Sequence, residues 1–308
     1  MTSAAPPSGK QFSLQLGAAT AVVTEVGAGL RSYCVEGREL LDGYGIDQMC
    51  TGARGQTFIP WPNRVADGSY DFGGVAHQLP LTEPEAHNAI HGLTRWSEWH
   101  LAGGNGHSIT LQTTLHASPG FPFPLRCQIR YRLHSGGLTV ETRATNIGTT
   151  PCPYATGAHP YVSLGTACID ELTVAVPARQ YLPTDERGIP TGSEPVEGTP
   201  FDLREPTPLG DRVIDNAFTD LLRDGDGGCE VSVRSPAGRA LRIWLDPAYR
   251  YVEIFTGDTL PDRCRRRRGL GVEPMTAAPN AFRTGDGLLT LEPGSSHHAT
   301  WGLRAELS

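Results

Sequence analysis

Apolar and polar residues alternate with a period of two through much of the chain. Such alternation places successive side chains on opposite faces of a β-strand. Together with β-branched and aromatic residues, it predicts strands over residues 12–26, 30–35, 107–115, 125–133, 138–146, 172–176, 229–233, 241–245 and 251–255. Residues 12–35 are therefore predicted to form an opening hairpin.

The connections between these segments are rich in turn residues, for example at 135–137, 224–228 and 235–238. Helix caps followed by a sustained 3.6-residue pattern are hard to find. Near the C-terminus, residues 288–291, the turn 293–295 and residues 298–303 predict a strand, a turn and a closing strand at a sandwich edge. The pattern predicts an all-β protein, in which antiparallel sheets pack as a large β-sandwich.

Composition agrees with a folded globular chain. Hydrophobic residues make up 38 % of the 308 residues and charged residues 19 %, and the 37 Gly and 25 Pro recur throughout. We expect a single domain over residues 1–308, with residues 1–10 disordered. The Pro-rich section 183–208 is interpreted as a long functional loop and not as an interdomain linker.

Charge and cysteine content restrict the partners. The net charge of −7 offers no broad positive field, so we expect no nucleic-acid partner. The seven Cys form no CxxC pair, and neither a secretory signal nor an apolar stretch of membrane-spanning length is present. The sequence predicts a soluble, cytoplasmic protein without a membrane partner, either a monomer or a homodimer.

One basic run departs from this acidic balance. It consists of Arg263, Arg265, Arg266, Arg267 and Arg268. The run could meet a phosphate or an acidic sugar, because guanidinium groups bind such anions. A solvated surface loop is the favoured interpretation.

Four polar clusters each place an ionisable residue among Gly, Pro and aromatic residues. They are PWPNR ending at Arg64, NAIHG around His91 with Arg95 and Trp96 beyond it, GAHPY around His159, and GVEPM around Glu273. Rigid loops of this kind suit a small polar ligand. Taken singly, each cluster has an ordinary structural explanation, such as an interior histidine or a proline turn.

The order of these clusters resembles the galactose mutarotase (aldose 1-epimerase) family. The resemblance spans nearly the whole chain and includes WPNRVADGSYDFGG, HQLPLTEPEAHNAIHGL, IDNAF at Asp215 and VEPMTAAPNAF at Glu273. It implies a supersandwich fold with a sugar in an open cleft. Since one acid and one base suffice for anomer exchange, we expect no cofactor and no metal. By the same resemblance, His159 is the general acid, Glu273 is the general base, and Arg64, His91 and Asp215 bind the substrate.

Two departures from the family pattern leave alternatives open. Better-known members follow the acid histidine with a Tyr-Phe-Asn-Leu type of sequence, whereas Pro-Tyr-Val-Ser-Leu follows His159 here. The chain therefore resembles a bacterial side branch of the family, and its preferred sugar stays open. The assignment of Asp215 as a substrate-binding residue rests on the short motif IDNAF, and Asp211 and Asp220 lie nearby.

The sequence thus predicts an enzyme that interconverts the α and β anomers of an aldohexose such as galactose or glucose. One base and one acid suffice for ring opening and reclosure. The alternatives are an epimerase of a phosphorylated or acidic hexose, and a non-catalytic sugar-binding protein. His87, His91, His100, His297 and His298 suggest a metal-dependent β-barrel enzyme as a further alternative, but the expected His-x-His with a following Glu is missing.

Overall fold

The computed structural model describes residues 5–307 and is built almost entirely of β-strands. The strands in its first half are β1 (Gln11–Leu16), β2 (Ala19–Thr24), β3 (Leu30–Val35), β4 (Arg38–Glu39), β5 (Thr57–Phe58), β6 (Arg64–Ala66), β7 (Ser69–Phe72), β8 (Val75–Gln78), β9 (Asn88–Ile90), β10 (His100–Asn105), β11 (Ser108–Leu115), β12 (Leu125–His134), β13 (Gly137–Asn146) and β14 (Cys152–Tyr154).

The second half continues the same architecture. Its helical elements are the short helix α1 (Ala281–Thr284) and two 3-10 turns, Ile169–Glu171 and Arg263–Arg265. Its strands are β15 (Gly157–Ala158), β16 (Tyr161–Val162), β17 (Thr173–Ala175), β18 (Ala178–Tyr181), β19 (Glu194–Pro195), β20 (Thr207–Pro208), β21 (Asp215–Leu221), β22 (Cys229–Arg234), β23 (Ala240–Leu245), β24 (Tyr251–Phe255), β25 (Leu270–Met275), β26 (Leu289–Leu291) and β27 (Ser296–Glu306). The all-β prediction is confirmed.

The larger of two main sheets has nine antiparallel strands in the order β10-β11-β12-β13-β27-β23-β22-β17-β20. In β12 the alternation seen in the sequence becomes burial of Leu125, Cys127 and Ile129 on one face. The closing strand was predicted at a sandwich edge, and this is wrong. β27 lies in the middle of the sheet, between β13 and β23, and β26 pairs instead with β14.

The second main sheet has eight strands in the order β19-β18-β21-β24-β25-β15-β5, with β16 also paired to β25. Every residue of its central strands β24 and β25 is buried. One face of these strands points Val252, Ile254 and Val272 into the core. The opposite face is therefore free to carry polar side chains, and it holds the candidate site.

A continuous hydrophobic core joins the two sheets. Ile129, Val140 and Trp301 of the nine-stranded sheet belong to the same buried cluster as Ile254 and Val272 of the eight-stranded sheet. Face-to-face packing of antiparallel sheets is the predicted sandwich. Because this cluster draws on residues from Leu14 to Leu303, we propose that the chain is one domain.

The N-terminal strands form a meander in the order β1-β2-β3-β4. The predicted hairpin is the pair β2 and β3. Residues 12–26, predicted as one strand, form two, because the chain turns at residues 17–18 and β1 pairs back on β2. The predicted disorder of residues 1–10 falls partly on residues 1–4, outside the described residues. The predicted disordered segment is too long at its C-terminal end. Ser8 is buried, the Ser8 carbonyl accepts from Val26 N, and Lys10 pairs with Glu25. These contacts hold residues 8–10 on the fold.

The Pro-rich section 183–208 folds back along the site. Arg187 donates to the carbonyl oxygens of Ala86 and His87 and to the side chain of Asn88. A Cβ on Gly188 would lie 2.5 Å from the Arg64 guanidinium, so the absence of a side chain lets this loop approach Arg64. In residues 5–307, no helix has the length and apolar character needed to cross a membrane.

Candidate active site

Three carboxyl groups share one face of the eight-stranded sheet. Glu253 of β24 is paired in register with Glu273 of β25, so both side chains point the same way. Asp215 of β21 is paired with Phe255, two residues from Glu253, and lies on that face as well. Both glutamates are 2 % exposed, whereas the Asp215 side chain is 35 % exposed. The face therefore holds a deep pair of carboxyl groups with a third at its edge.

His159 contacts Glu273, one of the two deep carboxyl groups. It follows β15, and its Nε2 lies 3.1 Å from Glu273 Oε1. Tyr161 stacks on the imidazole with ring centroids 4.4 Å apart, and its hydroxyl lies 3.3 Å from Nε2 while donating to Gly52 O. His159 Nδ1 and Glu273 Oε2 are buried and have no hydrogen-bond partner among residues 5–307. The ring is thus held in one orientation against the carboxyl group.

His91 reaches the same place through the β6–β9 pairing. Its Nδ1 accepts from Asn63 N at 3.1 Å, and its ring stacks on Phe58 with centroids 3.8 Å apart. The following Gly92 has φ +69°, and a Cβ there would collide with Ile59 O. Only glycine lets the chain turn at this point, which brings His91 over the sheet.

Arg64 begins β6 and joins the edge of the site. Its guanidinium makes a double contact with Glu83, at 2.9 and 3.2 Å, and lies 3.8 Å from Asp215. The structure therefore brings together Arg64, His91, His159, Asp215 and Glu273, all five predicted site residues. Asp215, unlike Asp211 and Asp220, shares the face of the glutamates and contacts Arg64.

Burial sets the charge state of this pair. It lowers the pKa of His159 well below 6.5, with the positive Arg54 and Arg95 adding to the effect. Burial and the negative Asp215 raise the pKa of Glu273 well above 4.5. Both shifts favour the neutral forms, so His159 and Glu273 hold one exchangeable proton between them over a wide pH range.

Glu253 is a site residue that the sequence did not identify. Its Oε2 accepts from Asn63 Nδ2 at 3.3 Å, and it faces Asp215 and Glu273. Burial, together with the negative charges of these two carboxylates, raises the pKa of Glu253 well above 4.5. A signal was present, because a glutamate in the otherwise apolar strand YVEIF is a polar residue at a buried position.

We expect Glu253→Gln to make stability less sensitive to pH. Because the folded-state pKa of Glu253 is raised, its protonated form is stable in the fold, and stability falls as pH rises from about 4.5 through the folded value. Gln keeps one donor and one acceptor and cannot ionise. The melting temperature of the variant, measured by circular dichroism from pH 5 to pH 9, should rise relative to wild type as pH rises. A difference that stays constant with pH would contradict this.

One set of side chains in the described part of the chain has the geometry to hold a metal ion. Its ligand atoms come from His91, His159 and Glu273 and lie within 4.8 Å of one another. Two imidazoles and a carboxylate can bind a divalent transition metal. The other histidines weighed for a β-barrel metal site do not join them, and His87, for example, pairs with Asp67 at the surface.

The arginine run is engaged mainly in structural contacts. Arg265 binds Asp42, and Arg267 binds Asp170 and Asp258. Arg266 donates to Leu260 O. These contacts fasten the loop 257–268 to its neighbours. The favoured interpretation of a solvated surface loop therefore applies to the exposed Arg263 and Arg268, whereas Arg265 and Arg267 are held in partly buried ion pairs.

The apolar candidates divide between core and surface. Trp61 and Phe282 are buried against one another, with ring centroids 5.3 Å apart. Trp96 is 55 % exposed and follows Arg95, near the His91 turn. Trp61 and Phe282 therefore pack in the core, whereas Trp96 is open to a ligand.

Comparison with known proteins identifies the sequence relatives. Residues 10–304 match the family model described as aldose 1-epimerase. The uncharacterised protein YihR of Escherichia coli is 35 % identical over 291 residues, which cover 94 % of this chain and 91 % of YihR. Galactose mutarotase of Rattus norvegicus is 34 % identical over 225 residues, covering 67 % of this chain and 63 % of the rat protein.

Solved structures agree on the fold. A GalM/aldose epimerase homologue from C. elegans superposes with a TM-score of 0.86 at 18 % identity, covering 96 % of this chain and 99 % of that one. Galactose 1-epimerase from Lactobacillus acidophilus superposes with a TM-score of 0.81 at 22 % identity, covering 96 % and 94 %. The galactose mutarotase-like fold expected from the sequence is thereby confirmed.

Proposed function

Because the chain belongs to the aldose 1-epimerase family, whose members are carbohydrate isomerases, we propose that it interconverts the α and β anomers of an aldohexose, with Glu273 as base and His159 as acid. The observation that carries this proposal is the 3.1 Å contact between His159 Nε2 and Glu273 Oε1 on a buried face. The anomeric hydroxyl oxygen and the ring oxygen of a pyranose are bonded to the same carbon. An acid and a base that act on them must therefore lie close together.

The proposed reaction moves two protons and returns them. Glu273 as carboxylate takes the proton of the O1 hydroxyl while His159 as imidazolium protonates the ring oxygen, and the C1–ring oxygen bond breaks to give the open aldehyde. After rotation about C1–C2, protonated Glu273 returns a proton to O1 and neutral His159 takes one from the ring hydroxyl. Reclosure on the other face gives the second anomer, with both side chains as they started.

The surroundings of the pair favour the opened intermediate. Ring opening converts a carboxylate and an imidazolium into two neutral groups. The burial that raises the pKa of Glu273 and lowers that of His159 favours those neutral groups. The protein interior thus stabilises the open-chain stage relative to the ion pair from which ring opening starts, and that ion pair forms when the shared proton moves from Glu273 to His159.

Three residues around the pair are proposed to position the sugar. His91 and Arg64 offer donors, and Asp215 offers a carboxylate that can accept from hydroxyl groups. Arg64 and Asp215 already contact each other at 3.8 Å. Sugar hydroxyls can exchange into this network, so that His159 stays aimed at the ring oxygen.

The direct test follows freshly dissolved α-glucose and α-galactose by polarimetry or by NMR exchange spectroscopy. Acceleration of anomer exchange over the buffer rate supports the proposal. A panel of free and phosphorylated aldoses that shows no acceleration would overturn it and leave a non-catalytic sugar-binding protein as the function.

We expect a bell-shaped dependence of kcat/KM on pH. The pair needs one exchangeable proton, so activity falls at low pH when His159 and Glu273 are both protonated, and at high pH when both have lost it. Because the pKa of His159 is lowered and that of Glu273 is raised, the plateau should extend below pH 6.5. Initial rates from pH 4 to pH 10 test this, and a single sigmoid rise centred near pH 6.5 would contradict it.

We also expect chelation to leave the rate unchanged, since Glu273 and His159 supply the base and the acid themselves. Exchange rates before and after dialysis against EDTA, with metal analysis of the dialysed protein, measure this. Added Zn²⁺ should inhibit, because it would occupy the ligand atoms of His91, His159 and Glu273. Loss of activity on chelation, restored by metal, would instead favour a metal-dependent enzyme.

A small-molecule sugar is the partner that this function requires. The proposal also includes the finer assignments, which are galactose or glucose as substrate, a cytoplasmic location, and a monomeric or homodimeric state. All seven cysteines are unpaired, which supports a reducing compartment.

A further inference from the structure

Arg95 differs from the other cationic side chains of the site in having no anionic partner. Its backbone is fixed, because Gln56 Nε2 donates to Arg95 O at 2.8 Å. Within residues 5–307, its guanidinium has no hydrogen bond and no ion pair, and its one ring contact is with Trp96, at 5.9 Å. The side chain is half-buried, and this burial lowers its pKa. It still carries a full positive charge at neutral pH.

The other guanidinium groups of the site have carboxylate partners. Arg54, stacked over the Tyr161 ring, pairs with Asp42 at 3.1 Å, shares that carboxylate with Arg265, and at 2 % exposure is closed to a ligand. Arg64 pairs with Glu83 and Asp215. A half-buried cation without a counter-ion is costly to the fold unless a ligand supplies the missing charge. Arg95 is therefore a candidate for ligand binding.

Arg95 lies beside the acid of the site. Gln56 joins it to His159, because the Gln56 side chain donates to Arg95 O and the Gln56 carbonyl accepts from His159 N at 3.1 Å. The positive charge of Arg95 acts on both His91 and His159 and lowers the pKa of each. The three carboxyl groups lie together on the face of β21, β24 and β25. An anionic group on a bound sugar would be attracted to Arg95 and repelled by any of these carboxyl groups that is ionised.

Sugar chemistry indicates which group this is. In a pyranose the ring oxygen is bonded on one side to the anomeric carbon, whose hydroxyl must face Glu273, and on the other side to C5, which carries the exocyclic carbon. With His159 at the ring oxygen, the exocyclic group lies on the side of His159 away from Glu273. We propose that Arg95 binds an anionic exocyclic substituent, so that the substrate is an acidic aldohexose with a carboxylate, phosphate or sulfonate at C6.

This inference rests on the proposed function, because it uses the placement of His159 at the ring oxygen. The sequence indicated the arginine run as the segment that could bind an acidic sugar, whereas this inference assigns that binding to Arg95. A charge-assisted pair between guanidinium and oxyanion is worth on the order of 10- to 100-fold in affinity.

The experiment compares D-glucose, D-glucuronate, D-glucose 6-phosphate and 6-deoxy-6-sulfo-D-glucose with wild type, Arg95→Gln and Arg263→Gln. Arg263 is an exposed member of the arginine run and is the matched control, since its replacement removes the same charge elsewhere. NMR exchange gives kcat/KM for each sugar, and calorimetry gives its Kd. Glucuronate and the phosphate ester separate a planar carboxylate from a tetrahedral oxyanion as the preferred group.

In wild type, kcat/KM for at least one acidic sugar should exceed that for glucose by about 10- to 100-fold. Arg95→Gln should remove this preference through KM, and Arg263→Gln should keep it. A preference that survives in Arg95→Gln, or a wild type that favours glucose over all three acidic sugars, overturns the inference. If an acidic sugar binds in an Arg95-dependent way but its anomer exchange is not accelerated, the anion site stands and the proposed epimerase activity is overturned. If no sugar binds and no exchange is accelerated, the anion site and the epimerase activity are both overturned.

Discussion

Glu273→Gln is expected to lower kcat by roughly 10²- to 10⁴-fold, the usual contribution of a positioned proton-transfer group. An amide matches the shape of the carboxyl and can still contact His159 Nε2, but it cannot accept the O1 proton. Polarimetry or NMR exchange with the preferred sugar measures the loss. Because the interaction removed is made in the transition state, kcat/KM should fall with kcat while KM changes little.

A matched control separates this effect from general damage. Glu292→Gln removes a carboxylate at an exposed turn, and we expect it to keep the wild-type rate. Glu273→Gln should also keep the melting temperature or raise it, since a carboxyl group held at a raised pKa is costly to bury in its charged form. If the folded Glu273→Gln variant kept the wild-type kcat, Glu273 would not be the general base.

His159→Asn is expected to lower kcat by a similar factor, roughly 10²- to 10⁴-fold, since Asn cannot carry the proton that the ring oxygen receives. The double variant with Glu273→Gln should be little worse than either single variant, because both act in one coupled transfer. Single-variant and double-variant exchange rates on one sugar measure the coupling.

The exposed His116 provides the control for this substitution, and His116→Asn should retain wild-type exchange. Fully additive losses in the double variant would show that His159 and Glu273 act independently. They would contradict the shared proton inferred from their 3.1 Å contact.

The sequence by itself determined the class of fold. Strict alternation, as in β12, leaves a strand as the only element that buries one set of side chains and exposes the other. It also placed Arg64, His91, His159, Asp215 and Glu273 in recognisable local motifs, since Gly, Pro and aromatic neighbours mark rigid polar loops. These are local properties, and local sequence carries them.

Only the tertiary structure decided how distant segments meet. The position of β27 in the middle of the nine-stranded sheet depends on pairing with β13 and β23, which are far away in sequence, so an adjacent turn could not indicate it. The choice of Asp215 over Asp211 and Asp220 likewise depends on the register between β21 and β24.

Charge was the property least visible in the sequence. The sequence indicated either an anion site or a solvated loop for the arginine run, whereas in the fold Arg265 and Arg267 pair with aspartates from other segments. Arg95, a single arginine beside a tryptophan, remains without a partner among the described residues. Glu253 became a site residue because register places it opposite Glu273. Pairing and burial are long-range properties, and they decide which charges a ligand can meet.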